Sequence, residues 1–220
     1  MLLEVTPEEV EQITPIVPTW EQYARHLSQA ALTAQRILIA IGLGAAFLLL
    51  SRVGGEGSLL GITMFIAGML TLLYPFFWGP LYAISRRNLA FRELPYAGLF
   101  FGKVLNVRRR TVLVAEREKV TEDGEVYIEE VRERQLEIEI GDKEGSRYTI
   151  RVRDEPRYDS IVKNQTVLAL VKAYSPDLQR RPVVSEVYIV KLNEWIGDVS
   201  YLKRDAFLEM ADELLAEYDL

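Results

Sequence analysis

The hydrophobic and polar positions of this chain change period twice. Two long apolar runs fill much of the first 85 residues. Ile37 to Ser51 lies between Arg36 and Arg52, and Ser58 to Ser85 contains no charged residue. The second run exceeds the roughly 20 residues that a helix needs to cross a bilayer, and the first reaches that length by extending back through Ala34, Ala31 and Ala30. Ser51 to Gly57 joins them as a short polar loop, with Gly54, Gly55 and Gly57 in it. The pattern predicts a membrane α-helical hairpin over 19–88, with helices over 20–50 and 58–84. Ala40, Gly44, Gly61 and Gly68 are small residues at spacings that let two such helices approach closely.

Upstream, Thr6-Pro7-Glu8-Glu9 is a helix start, with Thr6 as cap and Glu9 completing a capping box. Pro15 and Pro18 end that helix, so 1–18 is expected to be a separate segment. It is acidic and proline-broken, and no cleavable signal is expected in it.

From about Tyr96 the period becomes two. Leu99–Val107 and Thr111–Val120 are expected strands, Glu122-Asp123-Gly124 a turn, and Glu125–Ile128 a returning strand with its apolar parity broken at Val131. Leu136, Ile138 and Ile140 alternate with Glu137 and Glu139. After Gly141–Gly145, Tyr148, Ile150 and Val152 alternate with Thr149, Arg151 and Arg153. A symmetric register pairs Leu136 with Val152, Ile138 with Ile150 and Ile140 with Tyr148, setting Glu137 opposite Arg151 on the solvent face. Thr166–Ala173 reads as a central strand and Val183–Leu192 as the last long one. The expected fold over 95–202 is a mainly antiparallel β domain, a small barrel of the OB or SH3-like kind or a curled sheet. Residues 203–220 form a C-terminal acidic amphipathic helix, with Phe207, Met210, Ala211, Leu214 and Leu215 inward.

Charge sharpens this picture. The net charge is −6, yet residues 86–110 sum to +6 and 111–220 to −9. A basic collar of Arg86, Arg87, Arg92 and Lys103 follows the second apolar run, while the hairpin loop offers only Arg52. The positive-inside rule then puts both termini on the cytoplasmic side. Tyr74, Trp78 and Tyr82, with Arg86 and Arg87, are the expected membrane-interface residues, facing lipid headgroups. Pro75 and Pro80 weaken the helix there.

Several chemistries lack their residues. The chain has no cysteine and one histidine, His26, so a thiolate site, a disulfide or a His-rich metal site cannot be built within it. No phosphate-binding glycine loop is present. Glu129, Glu130, Glu133, Glu137 and Glu139 fall where alternation puts solvent, with arginines between them, which reads as a salt-bridged face. Arg108-Arg109-Arg110 suits a strand-end turn or lipid contact. The acidic body argues against nucleic acid. No cofactor is expected. The loop Glu194-Trp195-Ile196-Gly197-Asp198-Val199-Ser200-Tyr201-Leu202 is the most distinctive. Trp195 either lids the end of the β domain or, with Asp198 and Tyr201, anchors a partner.

Val187-Tyr188-Ile189-Val190-Lys191-Leu192-Asn193-Glu194-Trp195-Ile196-Gly197-Asp198, together with the apolar hairpin, resembles a family of cyanobacterial two-helix membrane proteins, some of which carry the label phosphate ABC transporter permease. The resemblance implies a thylakoid or plasma membrane in a phototroph and brings no catalytic residues. Two helices without a polar face offer no permeation path. The reading is therefore a membrane-anchored, non-enzymatic module that presents a cytoplasmic β domain to a protein partner, an assembly or accessory factor of an integral membrane complex. A small transporter or channel subunit, and a membrane-surface enzyme using Glu194 and Asp198, are the alternatives.

Overall fold

The computed structural model describes residues 1–28, 30–53, 58–120 and 126–217. Of the loop expected over Ser51–Gly57, Ser51–Val53 are helical and Gly54–Gly57 lie outside the described residues, as does the turn at Glu122–Gly124. Two compact units are present: Met1–Thr14 with Arg92–Leu220, and Pro15–Phe91.

The first unit is an antiparallel sheet with helices. Its strands are β1 (Leu2–Glu4), β2 (Tyr96–Val120), β3 (Val126–Gly141), β4 (Arg147–Arg153), β5 (Thr166–Ala173), β6 (Val183–Val184), β7 (Val187–Ile189) and β8 (Glu194–Ile196). The path runs β4-β3-β2-β5-β7-β8, with β1 on β2 and β6 on β5. No pairing joins β4 to β8 among the described residues, so the ladder is an open sheet and not a hydrogen-bonded barrel. The β3–β4 hairpin has the register expected from alternation: Leu136 opposite Val152, Ile138 opposite Ile150, Ile140 opposite Tyr148 and Glu137 opposite Arg151. Arg151 Nε lies 2.9 Å from Glu137 Oε2.

The two strands expected over Leu99–Val107 and Thr111–Val120 are one continuous β2. The Arg108–Arg110 run does not turn the chain, because acidic groups beside the strand meet its charges. Arg109 reaches Asp159 at 2.7 Å and Asp154 at 3.3 Å, and Arg110 reaches Glu137 at 3.4 Å. The parity break near Val131 is absorbed on the partner strand, where the register shifts between Leu113 and Ala115. An extra residue on one strand of a pair restores the inward face after such a break.

Both faces of the sheet are used. Phe100, Val104, Leu136, Ile138, Ile140, Tyr148, Val167, Val171 and Ile189 share one buried cluster. The intervening residues of β5 point to the opposite face, where Leu168, Leu170 and Lys172 are also buried. The helix α1 (Pro7–Ile13) and the helix α6 (Arg204–Glu217) pack together there; the backbone N–H of Lys203 donates to Ile13 O at 2.7 Å. Residues 1–14 therefore belong with the sheet, β1 pairing with Gly98–Phe100, and not to a separate N-terminal segment.

The capping box is formed: Glu9 N donates to Thr6 Oγ1 at 3.3 Å and Thr6 N to Glu9 Oε2 at 2.7 Å. Thr6→Ala removes it, and we expect about 1 kcal/mol less stability in the first unit. A thermal melt should register this as a fall of roughly 2–4 °C.

Among the described residues the second unit has four helices, α2 (Trp20–Ser28), α3 (Ala30–Val53), α4 (Leu59–Leu73) and α5 (Trp78–Arg92, whose last residue belongs to the first unit). One stretch, Ala34–Val53, is by itself long and apolar enough to cross a bilayer. The helix expected over 58–84 is broken. α4 and α5 meet at a 57° bend, and only as a bent pair do they satisfy the same criterion. Pro75 has no N–H to offer Thr71 O four residues back, and just after it Phe76 N bonds Leu73 O three residues back, sharing that carbonyl with Phe77 N. Gln22 and Asn88 are buried and tie α2 to α5 by a reciprocal amide pair at 3.0 and 3.3 Å.

Candidate functional site

Trp195 sits on β8 opposite Tyr188. It is only 8% exposed, with its ring 5.0 Å from Tyr188 and 5.7 Å from Phe207 of α6. The Arg204 guanidinium lies over the indole at 5.2 Å. An exposed Trp195–Tyr201 pair is thus not what the fold presents: Trp195 is the seam between sheet and α6, the lid role. Asp198 is exposed and accepts from Arg153 N at 3.3 Å; Tyr201 is half-buried.

The residue that organises this loop was not among the sequence candidates. Glu186, between β6 and β7, is 1% exposed. Ser200 Oγ donates to its Oε1 at 2.7 Å, Tyr201 N to its Oε2 at 2.7 Å, and Leu202 N to Oε1 at 3.4 Å. Burial raises the carboxyl above its ordinary value despite these donors. Ser185 beside it accepts from Leu170 N at 3.0 Å and donates to Glu186 O at 2.9 Å. Gly197 crosses so close that a Cβ there would lie 2.9 Å from Glu186 Cβ. Glu186 lies within the strand expected over Val183–Leu192, and the later Ser200–Leu202 segment covers its carboxylate.

Two further features of the first unit can engage other molecules. One is a ribbon. β5 pairs with β2 only over Tyr96–Lys103, and β4 with β3 only over Gln135–Gly141. Beyond them, Thr111–Val120 and Val126–Arg134 pair with each other and with no third strand among the described residues. Leu113, Val114, Val126, Tyr127 and Ile128 are exposed on this arm. Its acids are salted as the sequence suggested, with Lys119 on Glu129 at 2.9 Å and Arg132 on Glu130 at 2.7 Å.

The other is a cleft of about 720 Å³ at the end of β1, walled by α1, by Arg92–Gly98 and by Pro176–Leu178. Lys172, the one charged residue of β5, lines it at 3% exposure and donates from Nζ to Arg92 O at 3.0 Å. Burial, and then the charge of Arg92, lower the amine to about 8. Arg92 itself pairs with Glu11 at 3.2 Å. A lysine inside an otherwise apolar central strand was the available sequence signal, since lysines are almost never fully buried without a reason.

In the second unit, the expected interface residues fall around the bend. Tyr74 lies at its start, and Trp78, Tyr82 and Arg86 follow at four-residue spacing on one face of α5, all exposed. The Arg86 guanidinium sits 5.9 Å from the Tyr82 ring centre, and Arg87 is half-buried. His26 on α2 is held below its ordinary value by burial, then by Arg36 and Arg87.

A model of a family of unknown function (DUF8619) matches residues 3–217. No curated protein and no solved structure matches.

Proposed function

This chain belongs to the DUF8619 family, and from that premise we propose that it is a membrane-anchored, non-enzymatic module whose β unit is held ready for a protein partner. The arm carries the reading. A two-stranded ribbon is marginally stable by itself in water. This one extends for about ten residue pairs with apolar side chains in solvent, and such surfaces gain by burial against another protein.

The anchor is α3, with the bent α4–α5 pair returning as a second span. Exposed Leu38, Leu49, Leu60 and Phe65 would then face lipid. The Trp78-Tyr82-Arg86 face sits at headgroup level, and the basic collar keeps both termini on the cytoplasmic side. If the cyanobacterial resemblance holds, the partner belongs to a thylakoid or plasma-membrane complex under assembly. A charged or polar helix face, which a transporter subunit would use, is lacking in Ile37–Ser51 and Ser58–Ser85.

The test shortens the arm. Residues 112–133 are replaced by a tight turn, and tagged full-length and shortened chains are purified from detergent extracts of the native membrane. The full-length chain is expected to bring down a defined partner that the shortened chain loses, with the melting temperature of the β unit unchanged. A partner indifferent to the arm, or none at all, refutes the reading. Release of the chain by alkaline carbonate washing refutes the anchor.

A further inference from the structure

The Lys172 cleft stands apart from the partner-binding reading, because its lining residues belong to the first unit and none lies on the arm. Keeping an amine at 3% exposure on a central strand costs desolvation that a leucine or valine would not incur. The neighbouring same-face positions of β5 are Leu168 and Leu170. Lys172 is a wall residue of a space within the range of small-molecule pockets, about 300–1,000 Å³. Leu3, Val5, Val10 and Leu94 give that space apolar walls. Glu4, Glu11, Glu93 and Asp177 add carboxylates, and among the described residues Arg92 is the other cation lining it.

We propose that this cleft is a binding site for a small neutral carbonyl compound, an aldehyde or ketone with a short apolar chain, which Lys172 captures as a Schiff base. The Nζ lone pair attacks the carbonyl carbon. A C=N bond forms, the carbonyl oxygen leaves as water, and the product takes up a proton as the iminium. No oxidant or reductant is needed. The iminium keeps one N–H, which can remain on Arg92 O where the amine donates now. The apolar walls take the alkyl chain. The excess of carboxylates favours a cationic product and disfavours an anionic ligand.

Reactivity follows from the same surroundings. With the amine at about 8, roughly one molecule in ten is neutral at pH 7. For a solvent lysine near 10.4 the fraction is about one in 2,500. Lower intrinsic nucleophilicity and restricted entry offset part of that advantage.

The full chain in detergent is treated with pentanal and sodium cyanoborohydride, and alkylated lysines are mapped by peptide mass spectrometry. At pH 7, Lys172 should be modified roughly tenfold or more faster than the average of the other lysines. Its rate should flatten above about pH 8, where theirs continue to climb. Val10→Trp, which adds bulk to the cleft wall and leaves Lys172 itself unchanged, should slow Lys172 alone; Leu94→Trp serves the same purpose if the first variant does not fold. The proposal fails if Lys172 reacts no faster than the others. It also fails if filling the cleft leaves its rate unchanged, or if inorganic phosphate protects it, which would make the cleft an anion site.

Discussion

Glu186→Ala is expected to cost the first unit about 3–5 kcal/mol, because it removes the acceptor shared by Ser200 Oγ, Tyr201 N and Leu202 N at a site where Ser200 and Leu202 are buried, a lost buried partner costing about 1–3 kcal/mol. The loop also delivers the chain to α6, whose Phe207 completes the packing around Trp195, so the loss spreads to the helix. Calorimetry should show the transition falling by roughly 10 °C or more. A change under about 1 kcal/mol would mean that the carboxylate does not hold the loop.

The same residue gives a pH signature. Burial raises its folded-state value above the unfolded 4.5. The folded protein therefore binds the proton more tightly, and the stabilisation from this linkage is complete below about pH 4.5. It is lost as pH rises through the folded value. Glu186→Gln removes the linkage. Wild type should lose stability relative to Glu186→Gln as pH climbs from about 4.5, measured by denaturant unfolding across a pH series. A pH-independent difference would reject the sign.

Gly68→Ile should force α3 and α4 apart. A Cβ on Gly68 already lies 3.0 Å from Leu48 Cγ and Cδ2 and 3.2 Å from Gly44 O. Leu48 can give by a few tenths of an ångström, but the Gly44 carbonyl is backbone. Overpacking of this kind costs roughly 1–3 kcal/mol in well-packed interiors, and helix association in lipid depends on such close approach. The chain has no native cysteine, so spin labels at Leu43→Cys and Phe65→Cys report the α3–α4 separation cleanly. A longer, broader distance distribution is expected in Gly68→Ile and a smaller shift of a few tenths of an ångström in Gly68→Ala, which adds only the Cβ. Identical distributions in all three would show that the small residues do not set the spacing.

Local chemistry made much of this legible in the sequence. The Thr6–Glu9 box, the β3–β4 register and the apolarity of Ala34–Val53 each depend on residues a few positions apart or on a simple period, and each stands in the structure. The expected meeting of small residues is a partial case. Spacing marked Gly44 and Gly68, while the particular contact between them depends on how two helices cross.

Whatever needed long-range neighbours was not legible. Arg108–Arg110 resembles a turn until Asp154, Asp159 and Glu137 lie beside it. Trp195 could be read as a lid or as a partner anchor, and only the return of α6 over it decides for the lid. Glu186 is one more acid in the sequence until residues fourteen to sixteen positions later donate to it. Lys172 breaks an apolar strand, but only β1, α1 and the Pro176–Leu178 segment turn that break into a lined cleft. The sequence by itself determined periods, caps and where apolar surface accumulates, because these follow from backbone geometry and the side chains next along it. The tertiary structure decided which charges lose water and what they meet, because desolvation depends on segments that are distant in the chain and adjacent only once it has folded.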